Sequence, residues 1–232
     1  MIKVKDSVSR EIIVKAAIQK VWDALTKEEH LNRWYTKEAK VDFRIGGKGF
    51  LNHGWGATSE GIYTEIEPLK RFVMQSQDGD FQTITELEEV DNGIRVRITY
   101  HAPFINEMDA VAKENMLFGT GQFLGNLKSV YEANQDQRNR FWRVWIGISH
   151  SSNEEIPGTK VQAVKEGTSA DKAGLLPGDI IIKMDQDRVT GYQSFEQLLN
   201  AKDSSSTVTL TILRGKEEVS MECPLDAYPV PY

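Results

Sequence analysis

Cysteine is nearly absent from this chain of 232 residues, and the single copy, Cys223, has no second thiol to pair with inside the molecule. No run of 18 consecutive apolar residues occurs, which removes the signature of a membrane-spanning helix. Excess positive charge is lacking too. The 28 Lys and Arg are outnumbered by 34 Asp and Glu, giving −6 at neutral pH, so the broad basic footprint of a nucleic-acid binder is missing. The first fifteen residues alternate charged and apolar side chains without the apolar core of a secretory signal, and the expected location is therefore the cytoplasm. With 40% hydrophobic and 27% charged residues the chain can bury ordinary cores, either one large or two small.

Composition locates the division. Glu132 to Arg140 reads EANQDQRNR, with one small apolar residue, and it separates a helical pattern from an aromatic, strand-like run. The expected organisation is a first domain over 1–135, a linker or solvated helix end over 132–140, a second domain over 141–225 and a tail over 226–232. In the first, Val8–Val14 predicts a strand, and Ala16–Leu25 a helix with Ile18, Val21, Trp22 and Leu25 on one face. Short strands follow at Val41–Ile45, Gly49–Asn52, Ser59–Ile66 and Arg71–Gln75. Thr83–Val90 and Ile94–Tyr100 flank Asp91-Asn92-Gly93, where an Asn-Gly pair supplies the positive φ of a tight hairpin. Past Pro103, Met116, Thr120, Phe123, Leu127, Val130 and Tyr131 form the apolar stripe of a long helix that must cover the sheet. The second domain reads as strands at Val144–Ser149, Thr159–Val164, Asp179–Met184, Thr207–Leu213 and Glu218–Cys223, with helices at Ser169–Ala173 and Ser194–Leu199.

Motifs for chemistry fail one after another. Gly119, Gly121 and Gly125 have one residue too many for a dinucleotide fingerprint and fall inside a helical pattern, so packing of that helix on the sheet, or room for a ligand, is their expected role. No G-K-[ST] phosphate loop and no G-x-S-x-G elbow occurs. His30, His53, His101 and His150 are too far apart for any local metal motif, and neither a metal site nor a cofactor is expected. Cys223, in a strand pattern, reads as a structural thiol. No catalytic residue can be assigned. The aromatics say more: Trp22 and Phe123 suit a core, whereas Trp55 between Gly54 and Gly56 suits the rim of a pocket.

Two stretches resemble known families. W-I-G-I at 145–148, VQAVKEGTSADKAGLLPGDIII at 161–182, Arg188-Val189 and SFEQLL at 194–199 resemble a bacterial-type PDZ domain. In that block Pro177-Gly178 makes a turn, Asp179 is placed to accept from the turn amides, and Ile180 and Ile182 are expected to point into the core. The resemblance implies a groove that takes an extended peptide, usually a protein C-terminus, onto a sheet edge. By position it implies Trp145, Ile146, Gly147 and Ile148 as the carboxylate loop, Ile146, Ile148 and Leu198 as the side-chain pocket, and Ser194 as the start of the groove helix. The chain's own end, from Ala227 to Tyr232, is extended and Pro-rich and could enter such a groove.

Residues 1–135 resemble bacterial homologues of the activator of heat-shock-protein-90 ATPase, within the START-like (SRPBCC) superfamily. The likeness rests on AIQKVWDALT at 17–26, LNRWY at 31–35, Ile45-Gly46-Gly47 and GIYTEIEP at 61–68. It implies a helix-grip fold, with an antiparallel sheet wrapped around a long C-terminal helix and an apolar cavity between them. Trp34, Trp55, Phe123 and Gly121 are the expected lining or rim of that cavity. The whole is α+β, with a small, mostly-β PDZ domain following the helix-grip domain. These resemblances imply a bacterial, non-enzymatic adaptor with a link to stress response. Its groove would bind a peptide or protein C-terminus, and its cavity an apolar small molecule, or its surface a chaperone; nucleic acid is excluded as a partner. The competing class is a hydrolase or cyclase with its active site in the cavity.

Overall fold

A computed structural model describes residues 6–102, 110–230 and 232; Pro103 and Pro231 lie outside the described residues. The chain forms two units. One gathers 6–102, 116–139 and Tyr232, the other 110–115 and 140–230.

The first unit opens with β1 (Asp6–Val14), α1 (Ile18–Thr26) and α2 (Glu28–Trp34). Of the face expected on α1, Val21, Trp22 and Leu25 are buried, with Ala24 beside them, while Ile18 is half-buried. Helix α2 is a second, short helix that the periodicity left unassigned. Six strands follow: β2 (Glu38–Val41), β3 (Lys48–Gly54), β4 (Ala57–Glu67), β5 (Arg71–Gln75), β6 (Gln82–Val90) and β7 (Gly93–Ala102). All pairings are antiparallel, in the order β1-β7-β6-β5-β4-β3-β2. Ile94, Val96, Ile98 and Tyr100 of β7 are buried as a set, which is the period-two face the sequence announces.

The β6–β7 hairpin forms at the expected place by a different turn. Val90 pairs with Gly93, and among these residues only Gly93 takes a positive φ, +138°. Glycine is required there for a second reason: a Cβ would lie 2.4 Å from the carbonyl oxygen of Val14 on β1.

Helix α3 (Ala110–Ala133) buries Phe118, Thr120, Phe123, Leu124, Leu127, Val130 and Tyr131. It runs without a break through its glycines. Gly121 and Gly125 are exposed, and a Cβ built on either meets nothing within 4 Å, so Gly121 does not line a cavity. The reason is angular, since two residues separate Gly121 from buried Phe123, about 200° around the helix. The helix stops at Ala133, where Asn134 turns to φ +54°. The polar stretch beyond it is partly interior: Arg138, in a short 3-10 turn over Arg138–Arg140, is 6% exposed.

In the second unit, β8 (Val144–Trp145), β9 (Ile148–Ser152), β10 (Thr159–Val164), α4 (Ser169–Ala173), β11 (Ile180–Met184), β12 (Asp187–Arg188), α5 (Tyr192–Asn200), β13 (Thr207–Arg214), β14 (Glu217–Pro224) and β15 (Asp226–Ala227) follow in turn. The main sheet runs β14-β13-β11-β10-β9, with β12 beside β11, while β15 pairs with β8. Asp226 and Ala227, expected in a free tail, therefore belong to this small sheet, and the Asp226 carboxylate accepts from the Ser169 amide at the start of α4.

One expectation for the core is reversed. Ile181 is 0% exposed and packs with Phe195, Leu210 and Ile212, while Ile180 and Ile182 are only half-buried. Alternation along β11 permits one set or the other, and a register shift against β13 between Ile181 and Lys183 accompanies the choice. Asp179 behaves as expected, accepting from the Leu176 amide at 2.9 Å and pairing with Arg214. Cys223 is buried, and burial followed by the Asp226 charge pushes its thiol up to about 11, as for an inert structural cysteine.

Two substitutions test these assignments by chemical denaturation. Ile181→Ala is expected to cost roughly 2–5 kcal/mol, and Ile182→Ala clearly less. Gly121→Ala is expected to stabilise the chain by about 0.5–1 kcal/mol, because it adds helix propensity in open space.

Candidate functional site

Each unit carries a candidate site. In the second, β9 is the edge strand of its sheet, flanked by α5. Between β8 and β9, Gly147 takes φ +88°, and a Cβ there would lie 2.3 Å from Thr168. The loop is held by its carbonyls: Ile146 O accepts from Ala170 N at 2.9 Å and Gly147 O from Lys165 N at 2.8 Å. In a planar trans peptide the N–H opposes the C=O, so the Gly147 amide points away from α4. The Lys165 ammonium lies 5.2 Å from the centre of the half-buried Trp145 ring. Ile146 is buried, whereas Ile148 and Leu198 are partly buried against the core.

Ser194 does not begin α5. It is the third residue of the helix, and its hydroxyl caps it, accepting from the amides of Thr190 and Gly191 and donating to the Gly191 carbonyl. The side chains that join β9 to α5 are ones the motif reading passed over. His150 on β9 is buried and stacks on Tyr192 of α5, 4.4 Å between ring centres. Its Nε2 meets Glu196 Oε1 at 3.0 Å and its Nδ1 meets Thr159 Oγ1 at 2.7 Å. A lone histidine in a strand pattern gives no hint of this clamp; the alignment of α5 with the strand creates it. Ser152 closes the far end. Its hydroxyl accepts from the Tyr192 amide, and its own amide donates to Glu114 Oε2 at 2.6 Å. Because outward amides alternate along a strand, those of His150 and Ile148 share the edge that no described strand covers.

In the first unit, a cavity of about 370 Å³ lies among Leu25 of α1, Leu31 and Trp34 of α2, strands β3 to β7 and Met116 of α3. Of the four residues expected at its rim, Trp34 lines it. Trp55 and Phe123 are buried beside it, with Trp55 covered by Tyr232 at 4.7 Å and edge-on to Phe123, while Gly121 faces away. The Tyr232 ring is thus engaged at Trp55 in the first unit.

The lining is aromatic and uncharged. Trp34, Tyr35, Tyr63, Phe72, Phe81 and Tyr100 contribute rings, His53, Ser59, Thr83 and Thr85 contribute polar groups, and among the described residues no Asp, Glu, Lys or Arg lines it. Burial pushes the Tyr63 hydroxyl up to about 12 and raises those of Tyr35 and Tyr100 as well. His53 hydrogen-bonds Ser59 through Nε2 at 2.9 Å, and burial pushes its imidazole down to about 4 against the opposing Tyr35 carbonyl. At neutral pH the titratable groups of the described lining are therefore neutral. A shallower depression of about 450 Å³ over β2 to β4 is walled by Glu28, Lys40, Asp42, Lys48 and Glu60, and its mixed charges suit a solvated surface.

A family model described as "Activator of Hsp90 ATPase homolog 1-like protein" matches residues 15–132, just over half of the chain, and a PDZ domain model matches 144–225. Among solved structures, the chain is similar to an AHSA1-like protein from Aeromonas hydrophila, at 21% identity, over 56% of this chain and 94% of that one, with TM-score 0.45. It is also similar to the Aha1 dimer from Colwellia psychrerythraea, at 24% identity, over 56% and 98%, with TM-score 0.48. No curated protein matches the chain. Among the described residues no helix is long and apolar enough to cross a membrane.

The His53 shift has a sign that can be checked. Between about pH 6.5 and 4 the unfolded chain binds a proton at this position that the folded protein refuses, so stability falls as pH falls through that window. The expected loss from this group between pH 7 and pH 5 is about 2 kcal/mol. Urea unfolding at both pH values should show this component in the wild type and not in His53→Leu.

Proposed function

Because the chain belongs to the activator of Hsp90 ATPase homolog 1-like family and carries a PDZ domain, we propose that it is a non-enzymatic binding protein with two modules. The PDZ groove takes the C-terminus of a partner protein, and the helix-grip cavity holds a small, largely apolar molecule. The observation that carries the first half is the free edge of β9 beside α5, entered through the Gly147 loop. A peptide added there gains main-chain hydrogen bonds from the edge, its carboxylate meets the loop amides, and Lys165 adds positive charge nearby. Trp145, Ile146, Gly147, Ile148 and Leu198 form this end of the groove, and Ser194 acts through the helix cap.

The family's name points to a chaperone ATPase, and a chaperone surface is the other partner this module could serve. The cavity favours the small molecule, since its volume lies in the ordinary range for small-molecule sites. An enzyme in the same cavity has less support. General acid–base chemistry needs groups that exchange protons near the working pH, and among the described lining residues the imidazole of His53 is held far below it and no carboxylate accompanies it. On this reading the chain is an adaptor that recruits its partner's tail, and its proposed place is the cytoplasm.

The test is a selection of random peptides with free C-termini against the full chain, followed by fluorescence anisotropy. Selected peptides are expected to lose about tenfold or more in affinity, ~1.4 kcal/mol, when the C-terminus is amidated. Binders indifferent to amidation would contradict the carboxylate-loop reading.

A further inference from the structure

The edge of β9 ends at Ser152, and there both the backbone and the side chain of the strand are already engaged. The Ser152 amide donates to Glu114 Oε2 at 2.6 Å and its hydroxyl donates to Glu114 Oε1 at 2.5 Å, so one carboxylate takes both donors. The same hydroxyl oxygen accepts from the Tyr192 amide at 2.9 Å, which draws the start of α5 onto the strand. A Cβ built on Gly191, just before α5, would lie 2.7 Å from that oxygen, so strand and helix leave no gap at this point. Glu114 itself stands near the start of α3, in the stretch that belongs to the second unit.

The register decides what a bound chain can reach. Ser152 faces Thr159 of β10 yet gives its amide to Glu114, so that amide points outward, and the outward positions before it are His150 and Ile148. A peptide whose carboxylate meets the Gly147 loop has its end beside the start of β9, and it therefore runs antiparallel to the strand. With its last residue opposite Ile148, its third residue from the end lies opposite His150 and its fifth opposite Ser152. The first two positions offer main-chain partners. At the third, the peptide would have to displace a carboxylate holding two charge-assisted hydrogen bonds, each roughly twice as strong as the neutral bond that would replace it.

We propose that Glu114 sets the length of the segment this groove reads, ending main-chain recognition at roughly the last four residues of the partner. The inference rests on the peptide-groove reading above and adds to it a specificity-determining residue that lies outside the PDZ match, which begins at residue 144.

The probe is an amidation-sensitive peptide from the selection described above, made at eight and at four residues with the same C-terminal sequence. The longer form is also N-methylated at its third or at its fifth amide from the end. Fluorescence anisotropy with the full chain is expected to give affinities within about twofold for the two lengths, a loss of about three- to tenfold on methylation at the third amide, and no more than about twofold at the fifth. Glu114→Ala frees the Ser152 edge, so the longer peptide should then bind about three- to tenfold more tightly than the shorter, and methylation at the fifth amide should remove that gain. Where Glu114→Ala does not fold, Glu114→Gln, which lacks the charge, should shift the length dependence in the same direction. A wild type that already gains from the longer peptide and loses that gain on methylation at the fifth amide would overturn the assignment, as would variants that gain nothing, while leaving the groove reading intact. A selection yielding no amidation-sensitive peptide would overturn the two together.

Discussion

A guanidinium without solvent must be paired, and that requirement at Arg138 organises the first unit. Arg138 Nη1 donates to Thr36 O at 2.7 Å, and Nη2 reaches the carbonyls of Asn32 and Arg33 at 3.0 and 3.1 Å, where α2 has run out of amide donors. Asp136 supplies the counter-charge. Burial pushes its carboxyl up, but hydrogen bonds from Arg138 and Asn126 outweigh this and leave it below its ordinary value. Asn126 completes the link from α3, donating to Trp34 O at 2.7 Å and to Asp136 at 3.0 Å. One buried cation thus ties α2, α3 and the turn after α3 into a single assembly.

The cavity depends on that assembly. Trp34 forms part of its wall and donates its indole N–H to Ala24 O at 2.8 Å, while its carbonyl is held by Asn126. Tyr35 follows directly and stacks on Trp34 at 4.8 Å, so its ring is carried into the lining by a fixed backbone. A polar network outside the cavity therefore sets the position of the polar groups inside it.

The second unit solves a different problem with similar economy. An edge strand left open for a partner is a liability, and here its ends are defined: the Gly147 loop at one, the Ser152 bonds at the other, with His150 stacked on Tyr192 between them. Fixing α5 against β9 through a side chain of the strand itself sets the groove width. A groove fixed in this way would not have to order itself on binding, which is what the proposed peptide site requires.

Much of this was legible in the sequence where a local rule has only one solution. The alternation of β7, the stripe of α3 and the motif from Ala173 to Ile182 identified a sheet, its covering helix and the groove-bearing domain, because burial of one face dictates period and spacing. Local rules also misled where two solutions exist. Either alternate set of β11 could face inward, and the register chose Ile181; either side of α3 could hold Gly121, and the helix angle put it in solvent. The decisive groups were settled only in three dimensions. Arg138 lay in a stretch polar enough to pass for a linker, His150 looked like any strand histidine, and the tyrosines of the cavity lining, Tyr35, Tyr63 and Tyr100, come from separate elements. Local pattern fixes which face of an element is apolar, whereas burial of charge, ring stacking and the lining of a cavity depend on what long-range packing brings alongside.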